Sequence, residues 1–283
     1  MHRSVRDLRP GDLAWLAFAD EEEQGHIIGP FIGGGLAGED TVIYVTDADP
    51  AGLPGAGRLG TDWPKHVERG RLRLIPRRAA LRDGRFDSTR LLTTLQAEIA
   101  GAAEAGARGV RVTAEMSWAV RAAGVEEILE CERRFGAAVA ASTMITAICQ
   151  VDRRDVTEAE LAALRGAHEV AVRPDPEFED PVLRITSTFH PRGLAIAGEL
   201  DAARHAVFAE ALAAMPVTGE IHLDCAEVRF MDLGALHLLA CHVGGRAGRG
   251  PLVLDRVPRH LRAVIDLVGW GRLPGVRLGS VVL

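Results

Sequence analysis

The sequence predicts an α/β protein of two domains, and three observations carry that prediction. Apolar β-rich runs alternate with amphipathic helical runs through both halves of the chain. In the first half the β-rich runs, such as 41–46 and 144–151, are largely apolar, as strands of a parallel sheet covered on both faces are. Between the halves, the segment 173–182, RPDPEFEDPV, places three prolines and four acids in ten residues, a composition that neither a helix nor a central strand tolerates. At roughly 100–200 residues per domain, 283 residues suit two domains, expected at 1–178 and 179–283.

The elements follow in order. After the acidic residues 20–23, Ile27, Ile28, Phe31, Ile32 and Leu36 recur at helical spacing, and the run ends at Gly38. Residues 41–46, TVIYVT, form a short β-rich run and 72–75 a second. A helix over 88–105 has Asp87 placed to cap it. A strand at 110–114, a helix over 124–135 and an apolar run at 144–151 complete the first domain. Beyond the linker, strands are predicted at 183–187, 194–197, 220–224 and 252–254, and helices over 202–214, 233–244 and 259–268. That inventory describes a small, separate α/β domain.

Composition removes whole classes of protein. With 47% hydrophobic and 25% charged residues and a mean hydropathy of +0.07, disorder, collagen and membrane spans are excluded. The N-terminus MHRSVRDLRPGD has no apolar core for a signal peptide, so a cytoplasmic protein is expected. Lys65 is the single lysine, outside any GK[ST] context, and the net charge is −6. Neither half is built for a polyanion. Cys131, Cys149, Cys225 and Cys241 form no CxxC pair and no short spacing to a histidine that would suggest zinc. Reduced, mostly buried thiols and no metal are expected.

Candidate chemistry collects in two places. Open parallel sheets bind ligands outside the carboxyl ends of their strands, where the first domain places Asp47, Glu115, Gln150 and Asp152, with Trp118 just beyond Glu115. These five outline a ligand pocket; the competing reading is that the acids cap helices or pair with arginines. The glycine-rich stretch 29–38 precedes a strand and lacks the GxGxxG order, so it reads as a closely packed helix and not as a phosphate loop. In the second domain, HLDCAEVRFMDLGALHLL has a strand ending at Asp224, a loop anchored by Val228 and Phe230, and Asp232 placed to cap a helix from Leu233. Leu233, Leu236 and Ala240 form an apolar stripe with His237 to one side. Gly234 in the first turn points to close approach, either by a partner or by a neighbouring loop.

These residues resemble two known families. Residues 183–283 resemble a STAS domain, the fold of anti-sigma-factor antagonists: AIAGELD at 195–201 is similar to its G-x-x-D, and FMDLGALHLL at 230–239 to its F-x-D-S-S/T-G-L. Residues 8–178 resemble the MEDS domain of methanogen/methylotroph DcmR-type sensors, through RPGDLAWLAF at 9–18, FIGGGLAGEDTVIYVTD at 31–47, DGRFD at 83–87, RVTAEMSWAVR at 111–121 and AICQVDRR at 147–154. The resemblance implies a three-layer α/β first domain, RecA/KaiC-like or Rossmann-like, and a small α/β STAS domain. In the MEDS family an early GDH histidine is proposed to help sense small hydrocarbon derivatives; here Leu13 takes that place and Trp15 follows. STAS antagonists are phosphorylated on a hydroxyl just after the aspartate. Here Leu233 and Gly234 follow Asp232, and no serine or threonine occurs between Thr218 and Ser280, which implies a non-phosphorylatable module.

The reading is a cytosolic signalling protein without catalysis or cofactor. Its STAS-like module is expected to bind an anti-sigma factor or related regulatory kinase through Asp232, Leu233, Gly234 and His237, in a partner-switching circuit. Its MEDS-like module is expected to supply the input, from a small-molecule ligand if there is one. Nucleic acid and membrane are not expected as partners, and self-association is left open. The alternatives are a nucleotide-binding RecA/KaiC-like protein, against which the missing GK[ST] weighs, and a STAS scaffold of a multi-protein regulatory complex.

Overall fold

Successive side chains of a strand point to opposite faces of its sheet. In the computed structural model, which describes residues 1–60, 62–246, 248–270 and 273–279, the apolar runs of the first half use both faces. The chain divides into two compact units, Met1–Asp175 and Pro176–Leu283, with the division inside the proline-rich segment 173–182.

The first unit runs β1 (His2–Ser4), β2 (Leu13–Phe18), α1 (Glu21–Ala37), β3 (Thr41–Val45), α2 (Ala56–Leu59), α3 (Trp63–Glu68), β4 (Leu72–Ile75), β5 (Leu81–Arg82), β6 (Arg85–Phe86), α4 (Ser88–Glu104), β7 (Val110–Glu115), α5 (Ser117–Ala123), α6 (Val125–Ala140), β8 (Ile145–Asp152), α7 (Glu158–Gly166) and β9 (Val170–Arg173). Seven strands form one sheet in the order β1-β9-β2-β8-β7-β3-β4, and every ladder is parallel. Alternate strand residues feed two cores. Leu16, Val42, Tyr44 and Ile148 pack under Ile28, Phe31 and Ile32 of α1, while Ile43, Val45, Val112 and Cys149 pack under Leu91, Leu95, Ile128 and Leu164 of α4, α6 and α7. This is the three-layer arrangement expected.

Local chemistry sets the ends of these helices. Asp20 caps α1 by accepting from the Glu23 amide, and Asp87 caps α4 by accepting from the Arg90 amide. The glycine-rich stretch is helix, as expected, and its small residues make room for neighbours. A Cβ on Gly35 would lie 2.6 Å from Arg111 Cδ; the Arg111 guanidinium spans from Asp40 Oδ2 (2.9 Å) to the Phe31 carbonyl (3.0 Å).

The second unit runs β10 (Phe178–Glu179), β11 (Leu183–Phe189), β12 (Arg192–Leu200), α8 (His205–Ala213), β13 (Ile221–Met231), α9 (Leu233–Gly245), β14 (Leu252–Asp255), α10 (Arg259–Leu267) and β15 (Val276–Leu278). The six strands form a mixed sheet in chain order, antiparallel through β10-β11-β12 and parallel from β12 to β15. The predicted strand end at Asp224 is corrected: β13 continues to Met231, and register shifts opposite 195–199 absorb the break in alternation, so Val228 and Phe230 are strand residues and not a loop. The predicted stripe on α9 is corrected as well. The buried face is Ala235, Leu236, Leu239 and Val243, and Leu233 lies off it. Gly198, in the AIAGELD run, has φ +105°, and a Cβ there would collide with the Val182 carbonyl.

Candidate functional site

A parallel sheet opens a crevice where neighbouring strands send their connections to opposite faces. Here β3 leads to α2 and α3 on the α1 face, while adjacent β7 leads to α5 and α6 on the other. Asp47 follows β3 and Glu115 ends β7, and Arg77 joins them. The Arg77 amide donates to Asp47 Oδ1 at 2.9 Å, its Nη2 donates to Glu115 Oε2 at 2.9 Å, and its guanidinium lies 5.7 Å from the Trp118 ring centre. Glu115 Oε1 also accepts from the Ser117 amide at 2.6 Å, at the start of α5. Trp118 packs edge-on against Phe86 at 5.7 Å. Both Trp118 Nε1 and Arg77 Nε are buried donors without a hydrogen-bond partner, so a small acceptor entering here would satisfy groups that folding leaves open.

The other two candidates lie apart. Gln150 faces α1, fully buried, accepting from Gln24 Nε2 and donating to Thr113 Oγ1, each at 2.7 Å. Its neighbour Tyr44 has its pKa pushed up to about 12 by burial. Asp152 turns to Arg154, which donates to it from amide and guanidinium and, through that side-chain hydrogen bond, holds the carboxyl below its ordinary range. Asp47, Glu115 and Trp118 therefore share Arg77, with Gln150 behind them and Asp152 occupied elsewhere.

A cluster that the sequence reading missed lies in the core on the α4/α6/α7 face. Glu132 of α6, Cys149 of β8 and His168, after α7, are all buried, with their donor atoms within 4.8 Å of one another. The Cys149 thiol donates to Glu132 Oε1 at 2.6 Å, and His168 Nε2 lies 3.3 Å from Glu132 Oε2. His168 Nδ1 donates to the Leu164 carbonyl at 2.9 Å, and Trp15 flanks the ring at 5.3 Å. Burial, with Glu132 beside it, pushes the Cys149 pKa far up. Burial lowers that of His168, but the Glu132 carboxylate outweighs burial and the net direction is up. No motif signals this set, because its members come from three separate elements.

In the second unit, Asp232 caps α9: its Oδ1 accepts from the Ala235 amide and from His205 Nε2, each at 2.8 Å. Gly234 packs on that histidine, since a Cβ would collide with the His205 ring. Its close approach is therefore satisfied within the chain. Leu233 and Phe230 flank the cap and are 65% and 48% exposed. His237 is exposed with its Nε2 3.4 Å from Cys241 Sγ.

The first unit defines a doubly covered parallel-sheet protein with a polar crevice, and the second a mixed-sheet module with an apolar helix start. The MEDS family model, "MEthanogen/methylotroph, DcmR Sensory domain", matches residues 14–169, and a STAS model, "Mlab, STAS domain", matches 183–278. The chain belongs to the MEDS family and carries a STAS domain behind it. This pairing is that of a sensory and regulatory protein. A search of curated proteins found no match. Among solved structures, the flagellar accessory protein FlaH from Methanocaldococcus jannaschii is similar at 16% identity over 64% of this chain and 78% of that one, with a TM-score of 0.42. No helix among the described residues is long and apolar enough to cross a membrane.

Proposed function

We propose that this chain is a non-catalytic regulator whose STAS unit binds an anti-sigma factor or related regulatory kinase through the start of α9, with its MEDS unit as the input. The observation that carries the reading is the exposed pair Phe230 and Leu233, held by a strand end and a capped helix on either side of Asp232. Large exposed apolar side chains on ordered backbone are the raw material of a binding hot spot. With Leu233 and Gly234 after the aspartate, no hydroxyl is present to receive phosphate there. Control of the module then falls to the first unit.

The nucleotide alternative is disfavoured by charge. Phosphate in such sheets sits at a helix N-terminus that follows a strand. The start of α1 after β2 instead holds Asp20, Glu21, Glu22 and Glu23; Glu23 Oε2 accepts from the Ala19 amide at 2.8 Å and pairs with Arg153 at 3.0 Å. Carboxylates occupy the positive helix end that a phosphate would use.

The test is calorimetry of the full chain against purified anti-sigma kinases of the same organism. The double variant Phe230→Ser/Leu233→Asp is expected to fold normally and to lose at least about 30-fold in affinity, the scale of a hot spot. Absence of any binding kinase, or unchanged affinity in the variant, defeats the reading. A scaffold predicts that two regulators bind the same chain at once.

A further inference from the structure

We propose that Glu132, Cys149 and His168 form a buried binding site for a divalent zinc-class metal ion. The donor set is one carboxylate oxygen, one sulfur and one imidazole nitrogen, all buried and within 4.8 Å of one another. Sulfur and imidazole select zinc-like ions over magnesium and calcium, which take oxygen. The three donors come from a helix, a strand and a loop, so chain neighbourhood does not explain their convergence; packing of the unit holds them together.

Two features of the cluster are left over when it is read as a hydrogen-bonded core. A carboxylate is costly to bury unless it is paired, and around Glu132 the structure places a neutral thiol and an imidazole. Because Nδ1 of His168 donates to the Leu164 carbonyl, a neutral ring turns the lone pair of Nε2 towards the Glu132 oxygen 3.3 Å away. Two acceptors then face each other, and Nε2 makes no hydrogen bond. Something positive belongs between them: a second ring proton or a metal ion. The contact between Nδ1 and a backbone carbonyl is the outer-shell arrangement that fixes the tautomer of a metal-ligating histidine.

The surroundings fit an ion with one open position. Glu132 and Cys149 also line a cavity of about 30 Å³, together with Cys131, Leu13, Leu95 and Phe135. That is the space of about one water molecule. Three protein donors, two of them bordering a water-sized space, fit a zinc site that keeps a fourth position for water or a small ligand. Binding involves no electron transfer: the dication takes the place of the Cys149 thiol proton, which is released to solvent, and the sulfur becomes a thiolate ligand. In a sensory unit, such a centre bordering an apolar cavity would take a small, soft or weakly basic molecule as its fourth ligand.

The experiment uses the full-length chain, reduced and stripped with a chelator, with its fold checked by circular dichroism, and titrated with Co²⁺ as a spectroscopic stand-in for zinc. One equivalent is expected to bind, with tetrahedral cobalt bands and a thiolate-to-cobalt charge-transfer band that Zn²⁺ abolishes. Cys241→Ser keeps both, which separates this site from the exposed His237/Cys241 pair. Cys149→Ser loses the charge-transfer band. His168→Gln weakens binding by more than the about 10–100-fold that an outer-shell partner is worth. If a core variant does not fold, zinc-edge X-ray absorption of the native chain decides: one sulfur at about 2.3 Å with nitrogen or oxygen at about 2.0–2.2 Å is expected. No thiolate band in the folded native chain, a band that disappears in Cys241→Ser, or one that persists in Cys149→Ser overturns the proposal and leaves the second ring proton as the positive charge.

Discussion

Replacing Gly234 by alanine sets two effects of known size against each other. In a helix interior alanine is better than glycine by up to about 1 kcal/mol, so an open site in the first turn of α9 would gain from the change. The site is not open, because the new Cβ runs into the His205 ring. Overpacking of this kind costs about 1–3 kcal/mol. Pushing the ring aside also weakens its 2.8 Å bond to Asp232 Oδ1, worth about 0.5–1.5 kcal/mol. Gly234→Ala is therefore expected to destabilise the second unit by about 1–2 kcal/mol. In a His205→Ala background the obstacle is gone and the same change should stabilise by up to about 1 kcal/mol. The coupling of about 2 kcal/mol is within the range for residues in contact. Hydrogen exchange on amides of β12 and β13 under native conditions reads the stability of this unit separately from the other. A substitution that shifts stability by the same sign and size in both backgrounds would refute the packing argument.

Three further outcomes follow from the same physics. Gly35→Ala forces Arg111 off its contacts with Asp40 and Phe31 and should cost the first unit about 1–3 kcal/mol, whereas Gly57→Ala in α2, with nothing within 4 Å, should be neutral or gain up to about 1 kcal/mol; urea midpoints of the two variants give the comparison. Arg77→Met leaves Glu115, whose side chain is 14% exposed, with only the Ser117 amide, and about 1–2 kcal/mol should be lost after discounting for solvent screening; a denaturation curve superposable on wild type would show that the crevice is already solvated. For Asp232, burial pushes the pKa up, but hydrogen bonds from the Ala235 amide and His205 pull it down further, and the net direction is down. Its contribution is thus complete above about pH 4 and lost as pH falls through the lowered folded value. Asp232→Asn should flatten that part of the acid limb in urea unfolding at a series of pH values, and an unaltered limb would contradict it.

The fold was legible where one residue pattern admitted one structure. The run TVIYVT has five buried strand residues, and Asp87 followed by Leu91, Leu92 and Leu95 starts an amphipathic helix; both lie where their patterns put them. The central strand β2, LAWLAF, is the instructive omission. All six residues are apolar and alanine recurs at a spacing of three, which suits a helix as well as a strand, and only pairing with β8 and β9 decides between them. Strand β13 escaped for a related reason. Its alternation runs through Ile221, Leu223 and Cys225 and breaks at exposed Glu227, where bulges shift the inward register while the backbone continues to Met231.

Sites are harder to read than elements, because a site joins residues whose separation in sequence says nothing about distance. Asp47 and Glu115 lie at the carboxyl ends of neighbouring strands, where topology brings both within reach of one arginine. Arg77, which unites them, starts a short 3-10 helix after β4, where an arginine has no pattern to stand out from. Glu132 shows the limit more sharply. It occupies α6 among Glu126, Glu127, Glu130, Arg133 and Arg134, a run that reads as a solvated helix face, yet it is buried. The clue available beforehand is its phase: with Ile128, Cys131 and Val139 it falls on the buried stripe of the helix. A carboxylate at a core phase requires a compensating charge or hydrogen bonds. Which residues supply it is set by how β8 and the turn after α7 pack against α6, and no spacing in the sequence points to Cys149 or His168.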